Sequence, residues 1–345
     1  MLIRRRTLLL TAGAALATAA CADRSSSSSD PMKLNVGQVS NSVAFLPLAI
    51  AESKGYFTAE GLSMGERPRL GNGSKVAAAL QSGSIDVAGS VMTDAFNLYQ
   101  ANNGTRLIGA LVDTYYVDII AGATMPTDGD GTPLAARIAT LKGKKIGITG
   151  PGSGTEALVK YLFVQAGMDA TKDATLVNLG SDTSAALGAL SQKRVDLLSF
   201  PQPVAQLATA AGVGRIYISP ADGDVPELKN ATHGVIITTQ RVIDGKGKAV
   251  AAFLRAIAKS QALIHSDAAA TGTLLQAYQE TMKPETVQVL TPILQQEIPE
   301  SPLPIQSGYD ASVKFHQGTG LVEQAPAFAD IVPVEWIESA LSGTV

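Results

Sequence analysis

Gly150-Pro151-Gly152-Ser153-Gly154-Thr155 sets three glycines and two hydroxyl side chains directly ahead of an apolar-periodic segment. At a helix start, such residues offer free backbone N–H groups and hydroxyls to an anion, which makes Gly152, Ser153, Gly154 and Thr155 candidate ligand contacts. A plain glycine-rich turn with Thr155 as helix cap explains the same pattern. Nucleotide phosphate is a poor fit, because neither Gly-x-Gly-x-x-Gly nor a Gly-Lys-Ser/Thr ending is present. Asn72, within Gly71-Asn72-Gly73-Ser74, and Asp182 with Thr183, within Ser181-Asp182-Thr183-Ser184, also precede helical segments, where capping and ligand contact are both open. Apart from Lys75, no Lys or Arg falls in these loops, so a singly charged or neutral solute suits them better than a doubly charged anion. Asp94, Asp113 and Asp118 offer the opposite chemistry, carboxylates for an amine, although each also reads as a solvated or capping group. Catalysis has little to build on. His233, His265 and His316 lie far apart, one cysteine leaves no local zinc spacing, and no Gly-x-Ser-x-Gly elbow occurs. His233 stands just before an apolar segment and can reach a cleft or serve a hinge.

The elements that position these loops come from an internal repeat. At a constant offset of 110 residues, Val36-Gly37 lies over Ile146-Gly147, Ser74 over Ser184, and Ile85-Asp86-Val87 over Val195-Asp196-Leu197, with no gap. Each copy alternates strands and helices, with glycines such as Gly55 and Gly83 as helix stops, which predicts two α/β units with parallel-rich sheets. Ser40-Asn41-Ser42 is the repeat mate of the 150–152 loop, and Gly89 to Thr93 that of Ser199 to Pro203. Two apolar segments, 118–123 and 235–238, fall outside the repeat and are expected to be paired crossover strands forming a hinge. The expected division is residues 33–118 with 239–345 as lobe I and 119–238 as lobe II, the helical C-terminal part folding back onto lobe I. Ligands of such sheets bind at the carboxyl ends of strands, here in an interlobe cleft.

Residues 1–20 read as a signal peptide, with Arg4-Arg5-Arg6 ahead of a short apolar run. Leu16 to Cys21 resembles a bacterial lipobox, and Arg5-Arg6-Thr7-Leu8-Leu9 resembles a twin-arginine signal. These imply a lipidated Cys21 and a flexible serine-rich tether over 21–32, although an ordinary signal with an incidental thiol fits too. A single cysteine permits no internal disulfide, so the fold depends on its core. The formal charge of -3 falls to -6 once the three leader arginines are removed, which argues against nucleic acid.

The segment Phe45-Leu46-Pro47-Leu48-Ala49-Ile50-Ala51-Glu52-Ser53-Lys54-Gly55-Tyr56-Phe57 resembles the opening signature of the nitrate, sulfonate and taurine (NMT1/THI5-like) solute-binding proteins. Leu80 to Ala88, Leu141 to Ile148 and Val250 to Ala256 are similar to later motifs of that family. The resemblance implies a two-lobed periplasmic-binding-protein fold (type II): two parallel-rich sheets with flanking helices, joined by two crossover strands. It further implies capture of a small solute, with a sulfonate or taurine-like anion as the leading candidate, and delivery to an ABC permease from an extracytoplasmic, lipid-anchored monomer without cofactor or metal. A pyrimidine thiamine precursor or a carboxylate is the alternative cargo. An enzyme of pyrimidine or menaquinone metabolism, or a sensory or adhesive lipoprotein, is the alternative class. Through the family's habit at the matching loops, Thr93, Phe200 and Gln202 join the candidate contacts, and position in the chain adds Ser40, Asn41 and Ser42 at a strand end, Asp94 at a helix start and His233 ahead of the returning segment.

Overall fold

A computed structural model describes residues 30–345, so the leader, Cys21 and the serine run lie outside the described residues. Pro31–Val345 forms one compact unit. Its strands are β1 (Lys33–Leu34), β2 (Val36–Gln38), β3 (Ser63–Met64), β4 (Val87–Val91), β5 (Thr105–Val112), β6 (Val117–Gly122), β7 (Lys145–Ile148), β8 (Thr175–Asn178), β9 (Leu197–Pro201), β10 (Gly214–Ile218) and β11 (Gly234–Thr239). They make a four-stranded sheet, β2-β4-β11-β5, a five-stranded sheet, β8-β7-β9-β6-β10, and a small parallel pair, β1-β3.

The 110-residue repeat is visible at the level of single hydrogen bonds. The Asn35 amide donates to Asp86 Oδ2 at 2.9 Å, and its repeat mate Lys145 donates to Asp196 Oδ2 at 2.8 Å. Both aspartates begin the approach to a strand that pairs in parallel with the first strand of its copy, β4 with β2 and β9 with β7. Helix starts repeat as well: Asn72 accepts from the Lys75 amide, and Asp182 from the Ala185 amide.

The crossover expectation needs correction. β6 and β11 do not pair with each other. β6 lies antiparallel between β9 and β10 in the five-stranded sheet, and β11 lies antiparallel between β4 and β5 in the other. Every residue of both strands is buried, so each requires partners along both edges and cover on both faces. A central place in a sheet meets that need, whereas a hinge ribbon would not. Each sheet thus receives its antiparallel strand from outside its own repeat copy, and both sheets are mixed. The chain passes between them at 113–116 and 219–233.

Helices pack on both sheets. The helix Gln240–Ser266 contains the expected amphipathic stretch, broken at Lys246, and crosses the back of the first sheet's core. There Phe253 stacks on Phe57 with ring centroids 5.3 Å apart, and Glu60 receives both Arg255 and Lys259. This is the fold-back of the C-terminal segment onto the first copy. The five-stranded sheet has separate apolar clusters on its two faces, one around Phe163 and Phe315, the other around Phe200.

Candidate functional site

The strands β2, β4, β7 and β9 end toward a common space, and the loops that follow them enclose a cavity of about 660 Å³. That volume is in the range of small-molecule sites. Repeat mates contribute to the same lining: Val39 and Ser40 with Thr149 to Thr155, and Gly71 to Ser74 with Gly180 and Ser181. Hydrogen bonds span from one sheet's elements to the other's. Asn97 Nδ2 donates to the Gly152 carbonyl at 3.3 Å, and buried Ser42 Oγ donates to the Gln202 carbonyl at 2.7 Å.

Among the predicted residues, Ser40, Asn72, Asp94, Gly152, Ser153, Gly154, Thr155 and His233 line the cavity. The others are placed elsewhere, each for a packing or hydrogen-bonding reason. Phe200 is 1% exposed inside the apolar cluster with Leu198 and Val204. Gln202 is buried and donates to Glu297 Oε1 at 3.1 Å. Asn41 is exposed, and its carbonyl accepts from Gln279 Nε2. Asp182 is the cap of the helix Thr183–Ser191, at whose first position Thr183 sits, and Ser42 is committed to Gln202.

Thr93 is buried with its hydroxyl 2.6 Å from His316 Nε2, while His316 Nδ1 lies 2.7 Å from the Ser312 carbonyl. With Nδ1–H pointing at that carbonyl, Nε2 is the acceptor for Thr93, and burial pushes His316 down to about 4, so the ring stays neutral. Thr93→Ala is expected to strip a buried nitrogen of its donor and to cost about 1–3 kcal/mol of folding stability. Urea unfolding checks this, and a loss below about 0.5 kcal/mol contradicts the assignment.

The 150–155 loop satisfies much of its own polarity. Ser153 caps the helix Gly154–Gln165 by accepting from the Glu156 amide, and donates to the Gly150 carbonyl at 2.6 Å. Thr155 Oγ1 accepts from the Thr149 amide at 2.9 Å and meets the Thr149 and Ser153 hydroxyls. The Glu156 carboxylate takes the Gly152 amide at 2.6 Å and pairs with Lys160. The hydroxyls expected to greet an anion are therefore engaged in holding the loop, and a carboxylate already occupies the first turn.

His233 lies between Tyr115 and Tyr116, with ring centroids 4.1 and 5.1 Å away. Burial drives its pKa well down, with the nearby His316 adding to the shift, so it is neutral. Gly154 lets the ring approach: a Cβ there would stand 2.8 Å from His233 Cε1. Tyr115 donates to the Gly154 carbonyl, its hydroxyl 3.2 Å from the same Cβ position.

Asp94 is the one charged side chain in the lining; among the described residues no Lys or Arg reaches it. It is 7% exposed, and its Oδ2 accepts from Ser90 Oγ at 2.6 Å. Burial raises its pKa to about 6, opposed by hydrogen bonds from Ser90 and the Val91 backbone. Among the described residues no group of three His, Cys, Asp or Glu is arranged to hold a metal, and no helix is long and apolar enough to cross a membrane.

Sequence reasoning left out Gln81, Asn97, Asn178 and, as a contact, Tyr116, all of which line the cavity. A signal existed for two of them. Ser74, Ala77, Ala78 and Gln81 recur at helical spacing on one face, and Asn97 lies three residues beyond Asp94 on another helix.

Comparison with known proteins agrees with this geometry. YtlA of Bacillus subtilis (strain 168), assigned by name to the binding proteins, is 25% identical over 246 residues, spanning 69% of this chain and 67% of that protein. The alkanesulfonate-binding protein SsuA from Xanthomonas axonopodis pv. citri, bound to MOPS, superposes with a TM-score of 0.69 at 18% identity, covering 88% of this chain and 98% of that one. A ligand-binding component of an ABC-type import system from Staphylococcus aureus, with zinc bound, gives a TM-score of 0.71 at 16% identity, over 89% and 98%. The fold is therefore the α/β fold of the periplasmic binding proteins. The family profile described as NMT1/THI5 like matches residues 42–270, two thirds of the sequence, and the chain belongs to the NMT1/THI5-like family.

Proposed function

We propose that the protein is the solute-binding component of an ABC importer, a binding protein and not an enzyme. The observation that carries this is the cavity of about 660 Å³ enclosed by repeat-related loops at the carboxyl ends of two sheets. The family and the binding roles of the structural neighbours support it. In this reading the two sheets head two lobes that close on the solute, and the 113–116 and 219–233 passages flex. The closed form is then presented to a membrane permease. Cys21 and the serine-rich segment fit an extracytoplasmic lipid anchor on a tether, with the chain acting as a monomer.

A sulfonate, the cargo the sequence favours, would meet the head of the helix Gly154–Gln165, where Glu156 already takes the Gly152 amide, but also the Asp94 carboxylate, without an Arg or Lys in the lining. Its support is the helix terminus and the alkanesulfonate binder among the neighbours.

Thermal unfolding against a library of small metabolites tests the function. A solute at a hundred times its dissociation constant is expected to add about 2.7 kcal/mol, with compaction in small-angle scattering. Stabilisation by no member, from a protein shown to be folded, would count against solute capture.

A further inference from the structure

We infer that the cavity takes a small organic cation bearing N–H donors, a protonated amine or amidinium, seated on the Asp94 carboxylate against the ring of Tyr116. The inference rests on the solute-binding reading and specifies its cargo. Asp94 is the single charge in the lining, and a lone buried carboxylate without a protein cation leaves the complementary charge to the ligand. Ser90 Oγ donates to Oδ2, and the Val91 backbone also hydrogen-bonds the carboxylate, both neutral donors that leave its charge unbalanced. Oδ1 lies in a niche that Gly73 leaves open, where a Cβ would come within 1.9 Å of it. The first turn of the helix Gly73–Ser82 therefore abuts the carboxylate and favours its ionised form.

The surrounding groups suit an organic cation as well. Tyr116 lines the same cavity at 2% exposure, and both burial and the charge of Asp94 push its phenol up, so it remains a neutral ring and donor near the carboxylate. A cation held between a carboxylate and an aromatic face gains from both. His233, the other titratable group in the lining, is neutral and supplies no competing positive charge. Asn97, whose Nδ2 donates to the Gly152 carbonyl, lines the cavity with an amide oxygen suited to further N–H groups, while the Asn178 oxygen already accepts from the Gly180 amide. An anionic solute finds no matching set, since Glu156 already takes the Gly152 amide.

The test is calorimetric titration of the purified protein with butylamine, benzamidine and the matched anion butanesulfonate, at pH 7 and pH 5, for wild type and Asp94→Asn. At least one cationic probe is expected to bind while butanesulfonate does not. Its affinity is expected to fall about tenfold from pH 7 to pH 5, as a carboxyl titrating near 6 becomes protonated, and at least about tenfold in Asp94→Asn. The pH comparison needs no variant, so it stands even if Asp94→Asn folds poorly. Binding of butanesulfonate that is unchanged or tightened by Asp94→Asn overturns the cation and keeps solute capture. Failure of both cationic probes, while some other metabolite stabilises the protein, overturns the cation alone. Silence of the whole metabolite library overturns both readings together.

Discussion

Between pH 6.5 and pH 8 the protein is expected to lose folding stability, and Glu297→Gln is expected to remove much of that loss. Glu297 ends the helix Pro284–Glu297 at 8% exposure, and burial, with the charges of Asp118 and Asp222, raises its pKa from 4.5 to about 8 against the amide of Gln202. Asp118, whose buried carboxyl has no more than a poorly aligned hydrogen bond from Ser219, is likewise raised by burial to about 7, and Asp94 to about 6. For a carboxyl whose folded pKa is raised, the unfolded chain binds fewer protons between the two pKa values, so stability falls with rising pH throughout that window. For Glu297 the window runs from 4.5 to about 8 and corresponds to a loss of up to roughly 5 kcal/mol. A glutamine keeps an oxygen for Gln202 and carries no charge. The variant should therefore be more stable than wild type at pH 8 and nearly equal to it at pH 4, with the remaining slope set by Asp118 and Asp94 against the buried His233 and His316, whose lowered pKa values add stability as pH rises toward 6.5. Chemical unfolding at several pH values measures this, and a wild-type curve that is flat or rising from pH 6.5 to 8 contradicts it.

Phe96→Ala is expected to cost about 3–5 kcal/mol. Phe96 is fully buried on the helix Met92–Ala101, with ring contacts of 5.6 Å to Tyr309 and 5.2 Å to His316, both on the helix Gln306–Gly318. The same helix carries Asp94 and Asn97 into the cavity, and Thr93 ties it to His316. Removing the ring leaves a void beneath the wall of the site. Phe96→Leu should restore most of the stability by refilling the volume. Equal stability of the alanine and leucine variants in urea unfolding would mean that this packing does not hold the helix.

The repeat was the most legible part of the fold, because a strand, its following loop and the next helix cap are local patterns that recur at fixed spacing. The Asn35–Asp86 and Lys145–Asp196 bonds show that the offset carries down to single contacts. The sheet membership of β6 and β11 was not legible, since a strand buried on both faces reads as the same apolar run in either sheet. The site divides along a similar line. Loops at strand ends were readable from order alone, and they enclose the cavity. Which side chains remain free for a ligand was not readable, because it depends on distant partners: His316 for Thr93 and Glu297 for Gln202 are 223 and 95 residues away.

The central claim is that the space between the two sheets is the solute site. Ala77 lines it from a half-buried position in the helix Gly73–Ser82, where a larger residue is compatible with the helix and projects into the cavity. The deciding measurement is a calorimetric titration of the solute that most stabilises the protein, run on wild type and on Ala77→Phe with folding confirmed for both. The account predicts one solute per chain for wild type and at least about a hundredfold weaker binding for the variant, equivalent to about 2.7 kcal/mol. Equal affinity in the two proteins would place the solute elsewhere and contradict it.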